Sequence, residues 1–239
     1  MVQIYSELGF DYIEPSVASV LKDEEFDLLG KLTQQFNLKP EVFNRFLPGS
    51  LQIVGPNVDQ TAINKYLKIV LPRIEELGGE IVVFGSGVAR KIPEGFSREI
   101  AEKQLIFFLE TAAEIAGDKI RIVIEPLYKK QTNLLNLVSE TRDLCNKVSW
   151  QVGLLSDLFH MTQADEPLGN LLPVSQLEHN HLPLPEEIYS IADYLQILKS
   201  EGYRKRVSIE DNGGVLSRTS PDKHREVFAE ALAFVRSLI

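Results

Sequence analysis

Apolar, strand-like runs separated by helical patterns recur along the whole chain, and each of the last four ends on a side chain of metal-ligand type. The runs are Phe10–Glu14, Glu41–Phe46, Glu80–Phe84, Lys119–Glu125, Gln151–Asp157, Leu177–His181 and Arg206–Glu210. Strands alternating with helices select a parallel sheet covered by crossover helices. Two architectures meet that demand, the doubly wound sheet and the (β/α) barrel. No glycine fingerprint of the dinucleotide-binding kind follows the first run, and the polar run ends are spread over the second half of the chain. The expectation is therefore a barrel. Barrel strands bring their C-terminal ends to one mouth, where such folds keep their active sites. Glu125, Asp157, His181 and Glu210 would meet there.

The clearest helical pattern places Ile63, Tyr66, Leu67, Val70, Leu71, Ile74 and Leu77 on one face. Pro72 lies inside it and is expected to kink or split the helix. Gly78 and Gly79 then stop it. The last helix repeats the spacing with Val227, Ala231, Phe234, Val235 and Leu238. No Ser/Gly-rich linker interrupts the chain, so residues 1–239 read as one domain. A barrel of this kind has eight strands, and one is missing from the count. Asp165–Ser175 is too broken by Pro and Gly to supply it, so the missing unit is expected before Met1. The barrel should then be seven-stranded and incompletely closed. Its gap beside Phe10–Glu14 would be narrowed by distortion or covered by a partner subunit, as in a homodimer.

Composition narrows the function classes. With 239 residues, 44% of them hydrophobic, the chain can bury one sizeable core. A net charge of -9 argues against a protein that reads a nucleic-acid backbone. Cys145 is the one cysteine, which excludes an internal disulfide and fits a reducing cytoplasm. No apolar stretch reaches the roughly 18 residues of a membrane span, and MVQIYSELGF lacks the pattern of a secretory signal. The expectation is a soluble, cytoplasmic protein with neither nucleic-acid nor membrane partners.

Three carboxylates and one imidazole favour Mn²⁺, Mg²⁺ or Co²⁺ over Zn²⁺, which prefers more nitrogen or sulfur. One glutamate at a strand end is ordinarily a salt-bridged rim residue; four such ends together point to a metal. His160, three residues beyond Asp157, is a candidate to hydrogen-bond a substrate oxygen. His179 and His181 share a strand face. His181, nearer the mouth, is the ligand; His179 is kept among the substrate-side candidates, in a second layer or the core. In FGSGVARKIPEGF (Phe84–Phe96) the glycines let backbone approach a ligand. Arg90 there is read either as a substrate contact or as a rim ion pair, and the spacing is not that of a P-loop. Lys129 and Lys130 read as a solvated loop, and His224, in the loop Pro221–Arg225, as a surface residue.

The combination of IEPL with TNLLN, then DLFHM, HNH and GY…VSIE resembles the sugar isomerase/epimerase group of xylose isomerase-like TIM barrels. That family includes the ketose 3-epimerases and endonuclease IV. RFLPGSLQIVGPNVD, VVFGSGVARKIPEGF and EPLYKKQTNLLN look like one sugar phosphate isomerase subgroup. The resemblance covers essentially the whole chain. It implies that Glu125, Asp157, His181 and Glu210 hold a divalent metal, with Glu125 and Glu210 as the acid/base pair on opposite faces of the substrate. It also implies that His160 contacts substrate beside the metal. The implied reaction is isomerisation or epimerisation of a sugar or sugar phosphate, by proton abstraction next to a metal-bound carbonyl through an enediolate. Three departures stand out. The family's EPLNRxET is EPLYKKQT here, so Gln131 replaces a glutamate and Tyr128-Lys129 an Asn-Arg pair. Glu187 stands where an arginine is usual, and the first strand is missing. Gln131 remains a substrate-side candidate but cannot carry a proton as a carboxylate does.

Three other functions compete. A lyase of the keto-inositol or dehydroshikimate dehydratase type would begin with the same deprotonation. A degenerate member would keep the metal and lose turnover. An abasic-site endonuclease would need a His-rich multi-zinc cluster and phosphate contacts, against which the four histidines and acidic balance count.

Overall fold

The computed structural model describes residues 1–186, 188–212 and 214–239. Among them, six strands form a single parallel sheet in chain order. They are β1 (Val42–Phe43), β2 (Ile81–Phe84), β3 (Arg121–Ile124), β4 (Val152–Asp157), β5 (Leu177–Pro183) and β6 (Arg206–Glu210). Helices α1 (Val2–Leu8) and α2 (Asp23–Gln35) come before β1. After it the helices alternate with strands: α3 (Gln60–Glu76), α4 (Arg98–Ala116), α5 (Val138–Cys145), α6 (Leu158–Gln163), α7 (Ile191–Ser200) and α8 (His224–Leu238). Each crossover thus adds a strand to the edge left by the preceding one.

Residue parity along the strands places the site. Val42, Ile81, Val83, Val123 and Leu155 form a small cluster of their own, with Tyr12 packed against it. Two residues on from Val123 and Leu155, on the same strand faces, stand Glu125 and Asp157. The alternate residues, such as Ile122, Ile124 and Val152, join the larger core beneath the helices. Leu154, Leu177 and Leu182 do the same in a second cluster against α7. The apolar faces therefore fix the register, and the inward parity at the strand ends is left to polar side chains.

The first run, Phe10–Glu14, forms no strand ladder. It lies alongside β1, where Ile13 N–H donates to Lys39 O (2.9 Å), Asn44 N–H to Pro15 O (3.0 Å) and Val17 N–H to Asn44 O (2.9 Å). Ser16 and Asn44 make a single parallel bridge. Its other side faces β6, and no backbone hydrogen bond joins the two among the described residues. Side chains bridge this seam instead. Tyr12 Oη donates to Ser208 Oγ (2.9 Å), and Ser208 Oγ donates to Glu14 Oε2 (2.5 Å). At the far end of β6, Arg206 reaches Glu41 (2.6 Å) and Glu80 (2.5 Å). An apolar cleft lined by Phe10, Val207, Ile209 and Phe228 follows the seam. The barrel is incompletely closed, as expected, but among the described residues it has six strands and not seven, because the first run makes one bridge to the β1 side and no ladder.

Smaller differences have local causes. Pro72 does not split its helix, since α3 runs unbroken from Gln60 to Glu76. The following Gly78 adopts φ 85°, the left-handed cap that ends it. In α8 the buried face is Phe228, Ala231 and Val235, whereas Phe234 is exposed. His224 is the first residue of α8 and not a loop residue. Its Nε2 lies 3.1 Å from Leu216 O and 3.2 Å from Thr219 O, so the ring fastens the preceding turns. Asp165–Ser175 supplies no strand and forms short 3₁₀ turns, Leu168–Leu171 and Val174–Gln176. Among the described residues no helix is long and apolar enough to cross a membrane.

Candidate functional site

Four strand ends converge on one ring nitrogen. His181 Nδ1 lies 3.0 Å from Glu210 Oε2, 3.2 Å from Glu125 Oε1 and 3.7 Å from Asp157 Oδ2. Taking one ligand atom from each residue, all four lie within 4.8 Å of one another. Glu125 and Asp157 follow β3 and end β4, and both are buried, as is His181. Glu210, at the end of β6, is half-buried. Asp157 is fixed from three sides. Its Oδ1 accepts the backbone N–H of Phe159 (2.6 Å) and of His160 (3.3 Å), and its Oδ2 accepts Asn212 Nδ2 (2.8 Å). It also caps α6 in this way, so the turn from β4 into α6 sets the carboxylate's direction.

The electrostatics follow from this crowding. Burial raises the Glu125 carboxyl above its ordinary range, against the pull of His181 and His160. At Asp157 burial acts in the same sense, but His160 and His181 outweigh it and hold that carboxyl low. Burial opposes charge on His181, yet Glu14 and Glu210 hold its imidazolium well above the usual histidine range. Among the described residues no lysine or arginine hydrogen-bonds to the carboxylates of Glu125, Asp157 or Glu210. Three carboxylates meeting near one imidazole without a lysine or arginine is an arrangement that calls for further positive charge. Its hard oxygen donors and single imidazole fit a divalent ion.

Above the cluster opens a cavity of about 500 Å³, bordered by Glu125, Gln131, His160, His181, Glu210 and Asn212. The volume lies within the range of small-molecule sites. The family model described as "Xylose isomerase-like TIM barrel" matches residues 2–238. The chain belongs to that family. Solved structures agree on the fold. D-psicose 3-epimerase from Clostridium cellulolyticum H10 is 17% identical with a TM-score of 0.84, covering 99% of this chain and 92% of that one. D-allulose 3-epimerase from Methylomonas sp. is 22% identical with a TM-score of 0.83, covering 100% and 90%. An AP endonuclease, family 2, from Brucella melitensis is 22% identical with a TM-score of 0.72, covering 88% and 86%. No curated protein matches the sequence.

Within this xylose isomerase-like barrel the other candidates occupy different depths. His160 lies beside the cluster, its Nε2 3.9 Å from both Glu125 Oε1 and Asp157 Oδ2. Its ring stacks on Tyr128 at 5.5 Å and 28°, and its Nδ1 is a buried atom without a hydrogen-bond partner among the described residues. Gln131 stands on the cavity wall. His179 does not reach the cavity. It is fully buried one layer down, with its Nε2 3.1 Å from Glu14 Oε2. Arg90 does not reach it either, which departs from both sequence readings. The guanidinium is fully buried and donates to Phe84 O (3.1 Å) and Glu125 O (2.7 Å). Arg90 thus ties the end of β2 to the residue that carries the Glu125 carboxylate. Burial lowers its guanidinium to about 10. Lys129 and Lys130 are exposed, as read, and Glu187 lies outside the described residues.

Two contributors escape the sequence reading. Glu14 Oε1 accepts His181 Nε2–H at 2.9 Å, which leaves Nδ1 facing the other carboxylates. A carboxylate behind a ligating imidazole fixes its tautomer and ring plane. Burial would raise Glu14, but His181 and His179 hold it far below the ordinary carboxylate range. Gly85 is the other. A Cβ there would lie 2.2 Å from Glu125 Oε2, so the missing side chain is the space that the Glu125 carboxylate occupies. The glycine admits one of the chain's own carboxylates, where the sequence suggested a ligand.

Proposed function

We propose that the chain is a divalent-metal-dependent isomerase or epimerase of a ketose or a related sugar, working by proton transfer at the carbon beside a carbonyl. One observation carries this reading. Glu125 and Glu210, from β3 and β6, hold carboxylate oxygens 3.2 and 3.0 Å from the same His181 nitrogen at the base of one cavity. Two carboxylates arriving from strands that are not neighbours can address opposite faces of a substrate held between them. Glu125 takes a proton from one face and Glu210 returns one to the other, or the roles reverse with direction.

Glu125, Asp157, His181 and Glu210 would hold the ion, with Mn²⁺, Mg²⁺ or Co²⁺ favoured and Zn²⁺ the lesser choice. A bound divalent ion supplies the positive charge that acidifies a C–H beside a carbonyl group. Glu14 keeps His181 in one tautomer. Phe159, His160 and Asn212 keep Asp157 directed at the cluster. His160, braced by Tyr128, hydrogen-bonds a substrate hydroxyl, and Gln131 contacts substrate from the wall. Gln131 cannot relay a proton, so the transfer rests on Glu125 and Glu210.

The test is exchange of substrate hydrogen for deuterium in D₂O, run over a panel of ketoses with each metal. Wild-type protein should exchange at the carbon beside the carbonyl with at least one sugar, and only with metal present. Glu210→Gln should abolish it. Glu210→Gln rates within tenfold of wild type, about 1.4 kcal/mol in barrier, would remove Glu210 from the chemistry.

A further inference from the structure

Arg45 stands just beyond β1 with its backbone in the left-handed region, φ 54°. Few non-glycine residues hold that conformation, and it persists where the surroundings enforce it. Here they do. Asn44 N–H is bonded to Pro15 O at 3.0 Å and Phe46 N–H to Val83 O at 3.3 Å. Leu47 N–H donates to Ser86 Oγ at 2.9 Å, and Ser86 is itself left-handed at φ 37°. The chain is thus clamped to the first run on one side and to β2 on the other, with Arg45 between.

The side chain held in this way is exposed and borders the same cavity as Glu125 and Glu210. Among the described residues that line the cavity it is the one lysine or arginine. Its guanidinium has no hydrogen-bond or ion-pair partner among the described residues, whereas Arg73, Arg98, Arg121, Arg206 and Arg225 each pair with an acid. The chain has 34 acidic against 25 basic residues, so acids are in surplus. An arginine on a backbone held in this way, left without an acid and bordering a cavity with polar Ser16, Asn44 and Ser86 beside it, is placed for an anion from outside the protein.

We propose that Arg45 is the anchor for a terminal anionic group of the substrate, a phosphate or a carboxylate, whose reacting carbons lie at the Glu125–Glu210 end. The substrate class is then an anionic sugar and not a neutral ketose. This rests on the cavity being a sugar site, as argued above. The anion sets position and affinity; the proton transfer stays with the glutamates.

Binding to Mn²⁺-loaded protein tests it, using D-fructose, D-fructose 6-phosphate, D-fructuronate and sorbitol 6-phosphate. At least one of the two anionic ketoses should bind tenfold or more tightly than fructose, and which of them does so separates phosphate from carboxylate. Arg45→Gln should collapse that ratio toward one, and Arg45→Lys should restore part of it. A general folding defect would lower all affinities together and leave the ratio standing. Fructose binding as tightly as both anionic ketoses, or a ratio unchanged in Arg45→Gln, overturns the proposal. Sorbitol 6-phosphate lacks the carbonyl. If no sugar exchanges with D₂O, the isomerase reading falls, and Arg45-dependent binding of sorbitol 6-phosphate would leave the anion anchor standing.

Discussion

Gly85→Ala isolates the contact on which the site depends. Gly85 lies outside the left-handed region, so alanine can adopt its backbone without strain. Removing a glycine at such a position ordinarily stabilises a protein by about 0.4–1 kcal/mol through the unfolded chain. The added Cβ would sit 2.2 Å from Glu125 Oε2, where real contacts essentially never fall below 3.0 Å. Glu125 is buried between Gly85, Leu127 and His181, and its backbone is held by Arg90, so the carboxylate has to swing within a confined space. A displacement on the order of 1 Å at a reacting group lowers the rate by about 10²-fold, or about 2.7 kcal/mol. Mn²⁺ affinity should fall by about 10- to 100-fold, as when the orientation of a ligand is disturbed. Titration of Mn²⁺ by electron paramagnetic resonance measures the affinity, and thermal melting without metal reports the fold. Gly169→Ala is the control, because nothing lies within 4 Å of its Cβ position. Gly85→Ala protein that binds Mn²⁺ within about threefold of wild type would refute the assignment of that space to the Glu125 carboxylate.

Two further expectations follow from the layers behind the cluster. Glu14→Gln should weaken metal binding about 10- to 100-fold while the chain still folds, since the imidazole loses the partner that fixes its tautomer; calorimetric titration with Mn²⁺ would show it. Arg90→Met leaves Phe84 O and Glu125 O without their buried donor, and should lower unfolding stability by about 2–4 kcal/mol; urea unfolding measures this, and Arg90→Lys should recover part of the loss.

The barrel and its four converging side chains were legible because parity and position are written in a sequence. A polar residue at inward parity, two beyond Val123 or Leu155, marks the mouth whatever the details of packing. Glu14 carried the same mark, closing the run Phe10–Glu14, and only the absence of a strand ladder there sets it apart. Direction is what the sequence withholds. Arg90 lies in a glycine-containing turn, and nothing local says whether it extends into solvent or folds under β2. Gly85 signals a close approach without naming what approaches. The ladder itself fails at Phe10–Glu14 for a long-range reason. β6 contributes side chains and no backbone bonds on that side, and no sequence window contains both segments.

That seam also decides how each side of the centre is held. Three of the four converging residues, Glu125, Asp157 and His181, sit on strands bonded to neighbours on both sides. Glu210 sits on the edge strand, and its side chain is 25% accessible where that of Asp157 is fully covered. Opening the seam breaks side-chain contacts, Tyr12 and Glu14 to Ser208, Arg206 to Glu41 and Glu80, and Phe10 to Phe228 among them, and leaves every backbone ladder intact. One jaw of the site is therefore mounted on the edge of the barrel that, among the described residues, no backbone ladder joins to the first run. Were the seam to open, exchange of the ion and turnover of the substrate would share that opening, in the wall of the barrel and not in a loop above it.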